Sequence, residues 1–307
     1  MRTLSALMAV LLSAGIARAQ ASGSQTPPPA QGATTSGTQS ATPPASKQPQ
    51  AKTKEEFETY KAGAALSDPN QVLAAADAFA QKFPNSELKE LLYVQAMNMF
   101  QQQNNAEKEI EAGRKAIAVD PTDPIPLIHV ASALVEVTHE NDLDKDQHYA
   151  EATKDAQAAI DNINTGLHVP PNVTPEQVTA VKNNITATAY ETLGVIQMNK
   201  QDFAGAETDF KKAIDVSKSE PAARMYLRLS VAQDNQKKYS EALDSANKAL
   251  QYSQEGTVEK NLAKQQQARL EKLVQSGSPA STPPPGAVPP AAPSGSTPPP
   301  GTAPQPH

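Results

Sequence analysis

Between residues 51 and 276 apolar side chains recur every three or four positions, which is the spacing of a helix face rather than of a strand. Sliding the chain against itself by 36 positions brings Tyr190 onto Tyr226, Leu193 onto Leu229, Phe203 onto Tyr239, Ala206 onto Ala242 and Ala213 onto Ala249. Repetition at a fixed interval predicts a stack of equivalent units. Each unit would hold an aromatic residue and a Leu one turn apart on a first helix, a short polar turn, and a second helix with Ala at close-approach positions. Such a hairpin leaves one apolar face open, and the next hairpin covers it.

The spacing extends beyond this pair with less regularity. Segment 149–160 (YAEATKDAQAAI) repeats the Tyr, Ala, Ala, Ala spacing of 239–250 (YSEALDSANKAL). Tyr93, Met97, Ala116 and the stop Asp120-Pro121 fall in register, as do Ala75, Phe79 and the KFPNS run ending at Ser86. Two stretches, THENDLDKDQH before Tyr149 and NTGLHVPPNVT at 164–174, break the pattern and are expected to be surface insertions, since Pro170-Pro171 forbids a continuous helix. Thr174, Pro175 and Gln177 then have the spacing of a helix start. They predict a long helix through about Asn199, with Val178, Val181 and Ile185 on its apolar stripe. After Gly256 a sparse stripe of Val258, Leu262, Leu270 and Leu273 predicts a terminal capping helix with one wet face.

The run Tyr190-Glu191-Thr192-Leu193-Gly194, followed by Ala206, Phe210 and Ala213, resembles the tetratricopeptide repeat (TPR) pattern, with Tyr in place of its Trp. The resemblance spans about residues 54–254 and is strongest from 187 to 250. It implies an all-α fold, a right-handed superhelical solenoid of about five hairpins and a cap, in which Gly194 lets two helices approach closely. Repeat packing would fall to Tyr190, Leu193, Gly194, Ala206, Phe210, Ala213, Tyr226, Leu229, Tyr239, Ala242 and Ala249. In that family the first helices line a concave groove that takes a partner's peptide. Carried across, the groove candidates are Val94, Gln95, Asn98 and Gln101; Ile128, His129 and Ser132; Glu191, Val195 and Asn199; and Arg224, Leu227, Arg228 and Val231. Arg224 and Arg228 are one helical turn apart and able to grip a carboxylate by paired N–H donors. Basic residues occupy these places in peptide-terminus-clamping members. The Asn and Lys partners of such a clamp are not matched, Thr192, Ile128 and Ser132 standing in their positions.

The ends of the chain are different material. Residues 1–19 read as a signal peptide, with Arg2, an apolar run from Leu4 to Ile16 and the A-x-A site Ala17-Arg18-Ala19. About a dozen apolar residues fall short of the roughly 20 that span a bilayer. The expectation is export, to the periplasm or beyond the cell, without membrane insertion after cleavage. Residues 20–50 and 277–307 hold six and twelve of the 27 Pro and no Asp or Glu. Such composition cannot offset chain entropy by burial and predicts disordered linkers around the repeat domain at 51–276.

Composition then narrows the chemistry. The absence of Cys excludes disulfides, thiolate metal sites and a cysteine nucleophile. An acidic balance, 27 Lys and Arg against 33 Asp and Glu, offers no field for nucleic acid. The His-Glu pair at 139–140 has Leu143 where a second His would complete a helical zinc motif. His129, His139, His148 and His168 show no ligand spacing, and no phosphate-cradling or nucleophile-elbow motif occurs. No cofactor, metal or catalysis is expected. The expected function is a non-catalytic, protein-binding scaffold of the cell envelope; the alternative is an envelope tether that works through its Pro-rich tail while the repeats oligomerise.

Overall fold

The computed structural model describes residues 49–170, 173–217 and 222–276. The expected signal peptide, nearly all of the first linker and the Pro-rich tail lie outside the described residues, as does Pro171. Eleven helices and no strands occur among the described residues: α1 Lys54–Ala64, α2 Pro69–Lys82, α3 Leu88–Gln102, α4 Ala106–Val119, α5 Pro124–Val137, α6 Lys145–Asn162, α7 Pro175–Asn199, α8 Phe203–Ser217, α9 Ala223–Asn235, α10 Tyr239–Tyr252 and α11 Val258–Ser276. No helix among them is long and apolar enough to cross a membrane.

Helix starts follow from side chains that accept the otherwise unpaired first N–H groups. Thr53, Asp68, Asn105 and Asp123 cap α1, α2, α4 and α5 in this way, and Pro at the first helical position follows the cap in α2 and α5. At α7, Thr174 and Gln177 cap reciprocally, as their spacing predicts.

Each helix packs chiefly on its sequence neighbours, and contacts also run from α1 to α3, α3 to α5, α5 to α7 and α9 to α11. That pattern is an all-α solenoid: five hairpins, α1–α2 to α9–α10, stack in order, and α11 closes the end. Three hairpins share one turn. Asn104, Gln201 and Lys237 sit midway between their two helices with φ of 54°, 61° and 62°. In each turn the next residue's N–H reaches back to a carbonyl five positions earlier, at 2.9–3.0 Å, on Phe100, Gln197 and Gln233. Left-handed geometry disfavours side chains other than Gly or Asn, so local preference supports the turn at Asn104, whereas at Gln201 and Lys237 the packing of the hairpins holds it.

The packing residues of the two C-terminal hairpins lie where the 36-residue spacing puts them. Leu193, Gly194, Ala206, Phe210, Ala213, Tyr226, Leu229, Ala242 and Ala249 are buried, and Tyr190 and Tyr239 are half-buried. A Cβ on Gly194 would stand 2.6 Å from the Phe210 ring, so α7 and α8 approach as closely as they do only without one. Two expectations change. The 164–174 insertion is not wholly superficial, because Leu167 is buried in the core and Gly166 lies so close to Thr122 that a Cβ would meet its carbonyl oxygen at 1.8 Å. On α11 the buried face is Ala263, Gln266 and Leu270, with Leu273 packed beside it, whereas Val258 and Leu262 are exposed. The reason is polar: Gln266 donates to Asp234 Oδ2 at 3.1 Å, which fixes the rotation of α11 against α9.

Candidate functional site

The first helices of the hairpins carry the expected groove residues, and the structure divides them by region. In the N-terminal hairpins they are used internally. Val94, Ile128 and His129 are buried, His129 being 2% exposed, so they do not present a face to a partner. His129 Nδ1 lies 3.0 Å from Glu109 Oε1 and 3.2 Å from Gln101 Nε2. Gln95 donates to the Ala64 carbonyl at 3.0 Å, and Ser132 donates to the Ile128 carbonyl of its own helix at 2.8 Å. Asn98 is half-buried, and its Nδ2 is covered without an acceptor among the described residues.

The C-terminal hairpins keep all of theirs but Glu191 half-buried or exposed. Arg224 on α9 donates through Nε and Nη2 to the two carboxylate oxygens of Glu191 on α7, at 2.7 and 2.8 Å. Arg228 Nη1, one turn further, donates to Glu191 Oε1 at 2.5 Å. Glu191 is 4% exposed, while the arginine side chains are 37% and 44% exposed. The paired donors therefore do grip a carboxylate, but one supplied by the preceding hairpin of the same chain. The hydrogen bonds to Glu191, outweighing desolvation, hold the Arg224 guanidinium still further above its ordinary range. Beside this bridge Val195, Leu227 and Val231 are half-buried. Asn199, exposed at the end of α7, donates to the Tyr149 hydroxyl of α6 at 2.9 Å.

A buried polar ladder behind these residues left no sequence signal beyond polar side chains at helical core spacing. Glu207 of α8 accepts from Lys211, Lys238 and Gln236 at 2.6, 2.7 and 2.8 Å, which ties α8 to the α9–α10 turn. Ser245 donates to Gln233 Oε1 at 2.7 Å, Ser230 donates to the Ala242 carbonyl at 2.7 Å, and Arg269 of α11 pairs with Asp234. The histidines outside the core fall into two kinds. His139 is exposed beside Asp142, and His148 meets Thr138 and Asp144, whereas His168 is brought against Asp120 and Glu90 from elsewhere in the chain.

The tetratricopeptide repeat family model matches residues 187–220 and 223–255, which contain the Glu191–Arg224–Arg228 bridge. No curated protein matches the chain. Among solved structures, similarity extends to the pilF protein of Pseudomonas aeruginosa at 17% identity, over 73% of this chain and 88% of that one, with a TM-score of 0.48. It extends also to the MamA protein at 17% identity, over 64% and 90%, with a TM-score of 0.46. A thermophilic TPR protein of Thermus thermophilus is 13% identical over 72% and 99%, with a TM-score of 0.40.

Proposed function

With residues 187–220 and 223–255 as tandem tetratricopeptide repeats, a class of protein–protein interaction module, we propose that the chain is an exported, non-catalytic scaffold that holds a peptide segment of a partner protein against α7 and α9. The observation that carries this reading is the α7–α9 face itself. There half-buried Val195, Leu227 and Val231 share helix faces with two arginines that retain about two fifths of their side-chain exposure and carry more N–H groups than the three that Glu191 accepts. A partner segment with an apolar residue next to an acidic one matches that chemistry, since guanidinium groups pair well with carboxylates and apolar flanks supply area. The stacked hairpins are ordered before binding, so the ordering cost falls mainly on the peptide. Export is the reading of residues 1–19, and the envelope is where the scaffold would work.

The experiment is affinity capture from envelope extract with the mature full-length chain, beside an Arg224→Glu/Arg228→Glu double variant and a Glu191→Gln variant. The reading expects a discrete set of partners that the double variant loses and Glu191→Gln retains or strengthens, because Glu191→Gln frees the arginines. Equal capture by the parent chain and both variants would contradict it.

A further inference from the structure

Away from the α7–α9 face the fold gathers Glu90 of α3, Asp120 and Asp123 from the two ends of the α4–α5 turn, and His168 from the segment after α6. One donor atom each of Glu90, Asp120 and His168 lies within 4.8 Å of the other two. His168 Nε2 stands 3.3 Å from Asp120 Oδ2 and 3.6 Å from Glu90 Oε2. Donor atoms around a tetrahedral ion with ligand distances of about 2.0–2.1 Å are roughly 3.4 Å apart, so these two edges already have the dimensions of a coordination shell.

The remaining oxygens are fixed from outside. Asp120 Oδ1 accepts from the Thr122 N–H at 2.8 Å and its hydroxyl at 2.6 Å, and Asp123 Oδ1 accepts from the Ile125 N–H at 2.9 Å. Such outer hydrogen bonds are what orient ligating carboxylates. Glu90 is 2% exposed, and its Oε1 is fully covered and accepts no hydrogen bond among the described residues. Its partner is a second buried carboxyl group, that of Asp123. No Lys or Arg pairs with these three acids among the described residues; the ion pairs of Glu90 and Asp120 are with His168. Buried carboxylates without a cation are costly, and a divalent ion would supply the missing charge.

We propose that Glu90, Asp120 and His168, with Asp123 beside Glu90, bind one divalent transition-metal ion of the zinc or manganese type. Carboxylate oxygens with one imidazole nitrogen suit those ions, whereas magnesium and calcium favour all-oxygen shells. The ion pins the segment after α6 onto the α4–α5 turn, where the close approach of Gly166 to Thr122 already seats it. Its effect is on the N-terminal hairpins and is independent of the partner-binding reading.

The test titrates chelator-stripped full-length protein with ZnCl2 and with MnCl2 by calorimetry, and with Co2+ by its visible absorption. The expected result is a saturable site for about one ion per chain and a melting temperature that rises on loading. Affinity falls by more than about tenfold in His168→Ala and is unchanged in His139→Ala, whose imidazole is exposed outside the cluster. Glu90→Gln keeps the shape of the buried side chain, and its helical circular dichroism shows that it folds; it is expected to lose the Co2+ band. No saturable binding of either ion by the parent chain overturns the proposal, as does binding that survives both His168→Ala and Glu90→Gln.

Discussion

From α2 to α7 a single apolar cluster runs without interruption through Phe79, Leu92, Met97, Phe100, Ile128, Leu134 and Ile185. Beyond it the interior breaks into four small clusters, in which most of the buried members are Ala and which are separated by the Glu207, Gln233 and Gln266 ladder. The family pattern is plainest in this second region, which has the smaller core. The pattern therefore records how closely helices approach, through Gly194, Ala206 and Ala213, and not how much apolar volume they bury. The N-terminal hairpins have close approaches of their own, as at Gly113, where a Cβ would stand 2.4 Å from Val130, but they add larger side chains between them and bury Glu90, Asp123 and Glu109. The C-terminal hairpins depend on charge-assisted hydrogen bonds between neighbours, and they leave their first-helix face open.

The largest effects should come from emptying each core. Phe100→Ala and Phe210→Ala should each cost about 3–5 kcal/mol, with different reach. Stacked repeats couple to their nearest neighbours, so hydrogen exchange in Phe210→Ala should quicken in α8 to α11 and leave α2 to α5 protected. In Phe100→Ala the loss should spread through α2 to α7. Uniform loss in both variants would erase the division. Next is the bridge between α7 and α9. Glu191→Ala should cost about 1–3 kcal/mol in chemical denaturation, and Arg228→Ala less than Arg224→Ala, because Arg224 makes two of the three hydrogen bonds.

Acidification should separate the regions by sign. Burial raises the Glu207 carboxyl, but hydrogen bonds from Lys211, Lys238, Gln236 and Gln233 prevail and hold it at about 2, against an ordinary 4.5. Its stabilisation is complete above pH 4.5 and is lost as pH falls towards 2. Asp155 is raised by burial, and then by Glu151, to about 6 from 3.8. Its cost is present above pH 6 and is relieved as pH falls towards 3.8. From about pH 7 to about 4.5, exchange protection corrected for intrinsic rate should rise around α6 and hold steady around α8. Below that it should fall at α8.

The smallest effect is at the shared turn. Gln201→Gly and Lys237→Gly should each raise stability by about 0.5–1 kcal/mol by relieving left-handed geometry. Asn104→Gly should gain less, since Asn tolerates that region. Thermal melts of the three variants check the order.

Much of this was legible along the chain. Tyr190, Leu193, Phe210 and their partners at 36 residues announce themselves because core contacts within a hairpin fall at helical spacing, and Thr174 announces α7 because capping is local. The orientation of helices was not. Val94, Ile128 and His129 fall on an open face only by register with hairpins whose signature is weak, and in the stacked fold they are buried. Val258 and Leu262 attract attention as apolar residues, yet Ala263 and Gln266 make the contact, since a hydrogen bond to Asp234 decides the face. His168 carries no ligand spacing because its neighbours Glu90 and Asp120 come from other hairpins. Glu191 was visible as a candidate, but that it would occupy Arg224 and Arg228 depends on how two hairpins stack.

The central claim is that partners meet the α7–α9 face and not its N-terminal equivalent. Its most direct test is site-specific photocrosslinking in envelope extract, with the crosslinker at Val231 of α9 or at Ser132 of α5, both half-buried first-helix positions. The account predicts a discrete adduct from Val231 that disappears in the Arg224→Glu/Arg228→Glu background, and none from Ser132. An adduct from Ser132 alone, or one from Val231 that ignores the arginines, would contradict it.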